Sequence, residues 1–260
     1  MEMKKSTFGV IRTGLLSGAA LVALSSAAYA ADLGGSYKDT PIAEPVSEHS
    51  ISVNGGLTTD YVFRGFSQSD EGPAAFVGAD FSYRWFYAGI WASSVDELTS
   101  DGNVEIDYYA GIKKSWNGVD LDLGVLYYSY PNNDVDVTLD YLELKASASA
   151  KVWRELSLTG TVYYSPDFYA ETGEVWTLEG KAAVPLPVWD LALSGTLGTV
   201  IGDDDEFAAA FGDDQYTYWN VGLSKTFRDH FTVDVRYWDT DVDDNDLADE
   251  RVVGTISFSY

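Results

Sequence analysis

From Ile51 onward the chain alternates between apolar and polar positions. Residues 119–127 place Val119, Leu121, Leu123, Val125 and Tyr127 on one face and Asp120, Asp122 and Gly124 on the other. Between 140 and 151, Leu142, Leu144, Ala146, Ala148 and Ala150 oppose Glu143, Lys145, Ser147, Ser149 and Lys151. Further on, Leu156, Leu158, Gly160, Val162 and Tyr164 oppose Ser157, Thr159, Thr161 and Tyr163. A period of two marks β-strands with one apolar face; an amphipathic helix would show 3.6. Such runs predict about twelve strands, over 51–65, 73–84, 86–95, 103–115, 119–130, 138–151, 155–165, 174–184, 190–200, 215–226, 231–240 and 251–260. Most are ten residues or longer, whereas strands of soluble proteins centre on about 5–6. A tilted strand needs ~9–11 residues to cross a bilayer. Length therefore favours a membrane barrel.

The connections alternate too. Short ones are expected near Arg84, at Trp116-Asn117-Gly118, at Trp153-Arg154, across Pro185-Leu186-Pro187 and at Arg228-Asp229-His230. Asn-Gly is a strong hairpin signal, because both residues tolerate positive φ. Longer connections fall at 66–72, 96–102, 131–137, 166–173, 201–214 and 240–250, and they carry the acids. Bases (Arg84, Lys113, Lys114, Lys151, Arg154, Lys225, Arg228) gather at the short turns. The predicted fold is all-β: a transmembrane antiparallel barrel with short periplasmic turns and long acidic extracellular loops. The last strand ends its apolar face, Val252, Gly254, Ile256, Phe258 and Tyr260, on a terminal aromatic. Phe258 and Tyr260 thus resemble the signal by which the barrel assembly machinery recognises bacterial barrels.

The start of the chain reads differently. Lys4, Lys5 and Arg12 precede the small apolar run GLLSGAALVALSSA and then Ala28-Tyr29-Ala30. This is a secretory leader, with cleavage expected after Ala30. The predicted organisation is a leader over 1–30, a flexible periplasmic segment over 31–49 and a barrel over 50–260, located in the bacterial outer membrane. Removing the leader's three bases and one acid leaves 13 Lys+Arg against 40 Asp+Glu, a net charge of −27. Such a polyanion does not bind nucleic acid through phosphates. With no cysteine to form a disulfide, closure of the sheet must supply the stability. The 18 Tyr and 8 Trp exceed the needs of an ordinary core and suit membrane–water interfaces.

Residues 57–74 read LTTDYVFRGFSQSDEGPA. Thr59, Asp60, Tyr61, Arg64, Gly65, Ser67, Gln68, Ser69 and Pro73 resemble the first-strand pattern of the TorF-type porins, a proteobacterial outer-membrane family of similar length. The resemblance implies a channel-like protein and says little about the solute.

Parity then assigns the interior. Ile51, Val53, Leu57, Tyr61 and Phe63 are expected to face lipid, leaving Asn54, Thr58, Asp60 and Arg64 in the lumen. Charge on the lipid face costs ~2–4 kcal/mol at mid-bilayer, so charged strand residues have one permitted direction. The pore-lining candidates are Asp60, Arg64, Asp107, Asp120, Asp122, Glu143, Lys145, Glu179, Lys181, Asp234 and Arg236, with Asp80 and Glu105 on the same parity. Two fillings of the lumen fit: a channel selected by its charge ring, or opposed neighbours (Glu143/Lys145, Glu179/Lys181, Asp234/Arg236) that plug a narrow barrel. The inward acids outnumber the bases, so a channel would prefer cations or neutral solutes over anions. The expected partners are outer-membrane lipid, lipopolysaccharide, the assembly machinery and small hydrophilic solutes; the oligomeric state is open.

Other chemistry finds little support. The two histidines, His49 and His230, fall at the short-turn side, and no G-x-S-x-G occurs, so a Ser–His mechanism has no base near an outer-rim nucleophile. The stretch DTDVDDNDLADE (239–250) resembles an EF-hand loop, yet Asp244 stands where the sharp turn needs glycine. Both flanks have a period of two, where an EF-hand has helices. No resident cofactor is expected. A weak calcium or magnesium site is conceivable if Asp203, Asp204, Asp205 and Glu206 gather with Asp241, Asp243, Asp244 and Glu250, because hard cations take carboxylate oxygens.

Overall fold

The computed structural model describes residues 49–96, 104–131 and 137–260. The leader and the segment read over 31–49 lie outside them, except His49. In order come β1 (His49–Thr58), β2 (Val62–Phe63), β3 (Phe66–Ser67), β4 (Ala74–Tyr83), β5 (Phe86–Ser94), β6 (Val104–Trp116), β7 (Val119–Ser129) and β8 (Tyr141–Trp153). There follow β9 (Leu156–Ser165), β10 (Val175–Pro185), β11 (Leu191–Gly202), a short helix α1 (Asp205–Phe211), β12 (Gln215–Phe227), β13 (Phe231–Thr240) and β14 (Arg251–Ser259). Twelve of these strands form one closed antiparallel barrel, with β1 hydrogen-bonded to both β4 and β14. Closure leaves no sheet edge, which removes the need for a disulfide.

Parity holds around the ring. Leu121, Leu123, Leu144, Leu158, Leu178, Leu197, Leu223, Val235 and Ile256 are exposed on the outside, while Asp122, Glu143, Lys145, Thr161, Lys181, Asn220 and Thr255 are buried within. At the short-turn end Trp85, Trp116, Trp153 and Trp189 are all strongly exposed, and Tyr108, Tyr127, Trp176 and Tyr237 stand outward nearer the long loops. Apolar walls between two aromatic girdles are what a bilayer requires. Between the girdles a period-two surface of Leu and Val faces outward, too extensive to leave in water.

The aromatic excess has a second address. Tyr61, Tyr87, Trp91, Tyr128, Tyr130, Tyr141, Tyr163, Tyr216 and Tyr218 are buried inside. Glycines make space for some of these rings: a Cβ on Gly89 would lie 2.4 Å from the Tyr109 ring, its direct partner across the ladder. In WFYAGIW (85–91), which has bulky residues on both parities, Tyr87 and Trp91 point inward and Phe86 and Ile90 outward.

One predicted element is corrected. The first strand stops at Thr58 rather than running to residue 65. Arg64 and Gly65 both adopt positive φ (49° and 93°), and this pair of left-handed residues closes a two-residue turn between β2 and β3. The segment 59–73 thus leaves the wall as a small hairpin. Tyr61 is fully buried and Phe63 lies 5.8 Å from the Tyr128 ring, so neither faces lipid. Helix α1, also unforeseen, lies in the connection after β11 and ends at Gly212, whose φ of 94° provides the left-handed cap.

Candidate functional site: the hairpin across the lumen

In the ring order, β8 and β9 lie on the far side of the barrel from β1. The β2–β3 hairpin reaches them. Arg64 Nη1 and Nη2 donate to Glu143 Oε1 and Oε2 on β8, each at 2.8 Å, and its guanidinium lies 4.8 Å from the centre of the Tyr163 ring on β9. Phe63 and Phe168 complete an aromatic surround, at 4.7 and 5.9 Å. A planar fork on a carboxylate, stacked among rings, is the arrangement for which arginine is suited and lysine is not. The hairpin therefore spans the lumen from wall to wall.

Its neck is locked by hydroxyls. Asp60 accepts hydrogen bonds from Ser67 Oγ (2.7 Å), Ser69 Oγ (3.0 Å) and Arg251 Nη1 on β14 (3.0 Å). Ser69 Oγ in turn accepts from the Tyr61 amide, and the Gln68 amide donates to the Tyr61 carbonyl. Gly65 fits because a Cβ there would lie 2.3 Å from Thr240 Cγ2. The motif at 59–73 is thus the set of residues that shapes, closes and anchors this hairpin.

The facing wall is acidic. Tyr61 and Tyr130 each donate a 2.5 Å hydrogen bond to Glu105, and Tyr128 donates to Glu143. Asp107 shows no solvent exposure, and neither carboxylate oxygen has a hydrogen-bond partner. Trp91 and Tyr128 are its direct neighbours across the two adjoining ladders. Above this wall, burial and then the charge of Glu105 push the Tyr169 hydroxyl up to about 12. Tyr169 therefore remains a neutral group over the acids at ordinary pH. Phe66, Phe211 and Tyr216 pack edge-on and stacked at 5.2–5.7 Å beside the hairpin, and Phe207 joins them at 4.6 Å from Phe211. Helix α1 supplies two of these rings.

Toward the short turns the network opens out. Lys145 pairs with Asp122 at 2.7 Å, with Lys113 at 3.6 Å and the Tyr87 hydroxyl also on that carboxylate. Lys181 pairs with Glu179 (3.3 Å) and Arg236 with Asp234 (3.1 Å). Arg236 also bonds Asn220 and Ser194, and Asp120 stands exposed at the rim with a hydrogen bond from Ser115. Every inward candidate on a strand keeps its assigned face. Two expected pairs hold, Glu179/Lys181 and Asp234/Arg236. The third does not: Glu143 is taken by Arg64 and Lys145 by Asp122, because the hairpin brings a stronger bidentate donor to Glu143.

Among the described residues the acids of the two long loops after β11 and β13 belong to separate local structures. Asp205 and Glu206 occupy the first turn of α1, where the helix dipole favours them. Asp241 accepts from the Thr217 amide, and Asn245 caps the turn at 246–248. Among the described residues no three carboxylate, histidine or cysteine groups are placed to hold a metal. His230 sits at a short turn, with Nδ1 2.9 Å from the Ser259 carbonyl, at the same end as His49.

A sequence model described as "Bacterial protein of unknown function (Gcw_chp)" matches residues 42–257. No curated protein matches the sequence. Among solved structures, the KdgM porin superposes with a TM-score of 0.54 at 12% identity, covering 80% of this chain and 98% of the porin. The KdgM porin in complex with disordered oligogalacturonate gives 0.53 at 11% identity, covering 81% and 98%. The fold is that of outer-membrane porins.

Proposed function

We propose, for a chain that belongs to the Gcw_chp family of bacterial proteins of unknown function, a passive outer-membrane channel for small hydrophilic solutes that disfavours anions. One observation carries this reading: the barrel interior is lined by charged and hydroxyl side chains, and the element that crosses it is a hairpin with a ladder of only two residue pairs, separate from the barrel sheet. The resemblance of residues 59–73 to TorF-type porins and the porin-like fold support it. The lumen's ion pairs leave an acidic excess on β6, which favours cations over anions. Lipid and lipopolysaccharide meet the apolar wall and loops, and Phe258 and Tyr260 serve recognition by the assembly machinery. A transport role needs no catalytic group.

A second reading is favoured by the burial of Tyr61 and Arg64: the hairpin is a permanent plug and the barrel a surface element. Planar-bilayer recordings distinguish them. Small, cation-biased steps from the full-length protein, growing when residues 61–68 are replaced by a short Gly-Ser linker, are expected of the channel. Silence from the full-length protein with steps only from the linker variant, each folded by heat-modifiability on gels, would establish the plug.

A further inference from the structure

Three acids and one base meet in the long-loop half of the lumen. Arg64 is committed to Glu143, and Glu105 is satisfied by two tyrosine hydroxyls. Asp107 is left over, wholly buried, with both oxygens unpartnered. It stands two residues from Glu105 on β6, and its ladder partner Tyr128 donates to Glu143. The other bases of the network are engaged elsewhere: Lys113 and Lys145 with Asp122, Lys181 with Glu179, Arg236 with Asp234, and Arg251 with Asp60. Out of water such a carboxyl either carries a proton or, beside a positive group, is ionised at a much smaller cost.

The geometry points to Asp107, with Glu105, as a binding site for a small organic cation, an ammonium or guanidinium group. This rests on the channel reading only in placing the site on a solute's path. Three features select the ligand class. The carboxylate is flanked by Trp91 and Tyr128, and Tyr61 packs edge-on to Trp91 at 5.6 Å. A carboxylate among aromatic rings suits organic cations. The protein already holds one such group a short way off, the guanidinium of Arg64 between Glu143 and the rings of Phe63 and Tyr163. A divalent metal fits poorly, since no three ligands are placed for one among the described residues.

The probe is methylguanidinium chloride, titrated to millimolar levels against the full-length protein in detergent, with sodium chloride at equal ionic strength as control. A saturable rise in melting temperature is expected with methylguanidinium and not with sodium. Asp107→Asn, nearly isosteric, should lose at least tenfold in affinity, and Asp229→Asn in an exposed short turn should not change. Should Asp107→Asn fail to fold, Glu105→Gln replaces it and should weaken binding in the same direction. No shift in the wild type, or an equal shift after either substitution, overturns the site. Melting needs no open pore, so silence in bilayers would defeat the channel and leave this site standing. Conduction without a methylguanidinium shift would do the reverse.

Discussion

Replacing Arg64 by methionine is expected to release the hairpin from the β8–β9 wall while leaving the barrel intact. The substitution strands Glu143, almost fully buried, with Tyr128 as its remaining hydrogen-bond donor in this network. Breaking a buried pair from one side costs about 3–5 kcal/mol. That cost need not fall on the whole fold. The hairpin's own ladder is two residue pairs, Val62 with Ser67 and Phe63 with Phe66, and two-stranded hairpins have little stability alone. Swinging it outward rehydrates Glu143, so the penalty is capped by the energy of that local opening. Protease cleavage between residues 60 and 70 should become fast in Arg64→Met and in Glu143→Gln, with the temperature of barrel unfolding within a few degrees of wild type. Arg64→Met with Glu143→Leu should recover much of the protection, because an apolar pair can replace a buried ion pair at little cost. If the barrel melts early while the hairpin stays protected, it is a strut and not a movable element.

The hairpin also shows where the sequence was legible and where it was not. Strand number, parity and the alternation of short and long connections follow from a period of two, which lipid outside and polar groups inside enforce at every step. The alternation of DYVF continues that of β1, so nothing in the period announces that the chain leaves the wall after Thr58. The local cue is Arg64-Gly65 between two phenylalanines, a turn signal inside an apparently continuous strand. The hydroxyls of Ser67 and Ser69, placed to return to Asp60, are a second. Helix α1 carries a similar cue: Phe207 and Phe211 stand four apart across three alanines, a helical spacing in a chain otherwise built on two. That Lys145 meets Asp122 and not Glu143 was beyond the sequence, since Asp122 and Lys145 lie on neighbouring strands. Asp107 was legible as inward, but not as the carboxylate left without a partner.

A single-residue change of face gives the sharpest check on the membrane assignment. Leu123 lies midway along β7, outward and more than half exposed, between Ile112 and Ala146 on the adjoining strands. Leu123→Lys puts a charge on that wall near the middle of the apolar band and should destabilise the folded barrel by about 2–4 kcal/mol in lipid. Ser149→Lys adds the same charge on the other parity, opposite Asp120 in the β7–β8 ladder. There it gains an acid neighbour, loses one hydroxyl contact with Thr159, and should shift stability by roughly 1 kcal/mol or less. Urea titrations in phospholipid vesicles, followed by tryptophan fluorescence, measure both. The difference should shrink in proteins that assemble without lipid, because a soluble barrel tolerates a surface lysine at Leu123. Equal stability of the two variants in vesicles would mean that the outer face does not meet hydrocarbon, and the bilayer would lose its place in explaining why every second residue is apolar.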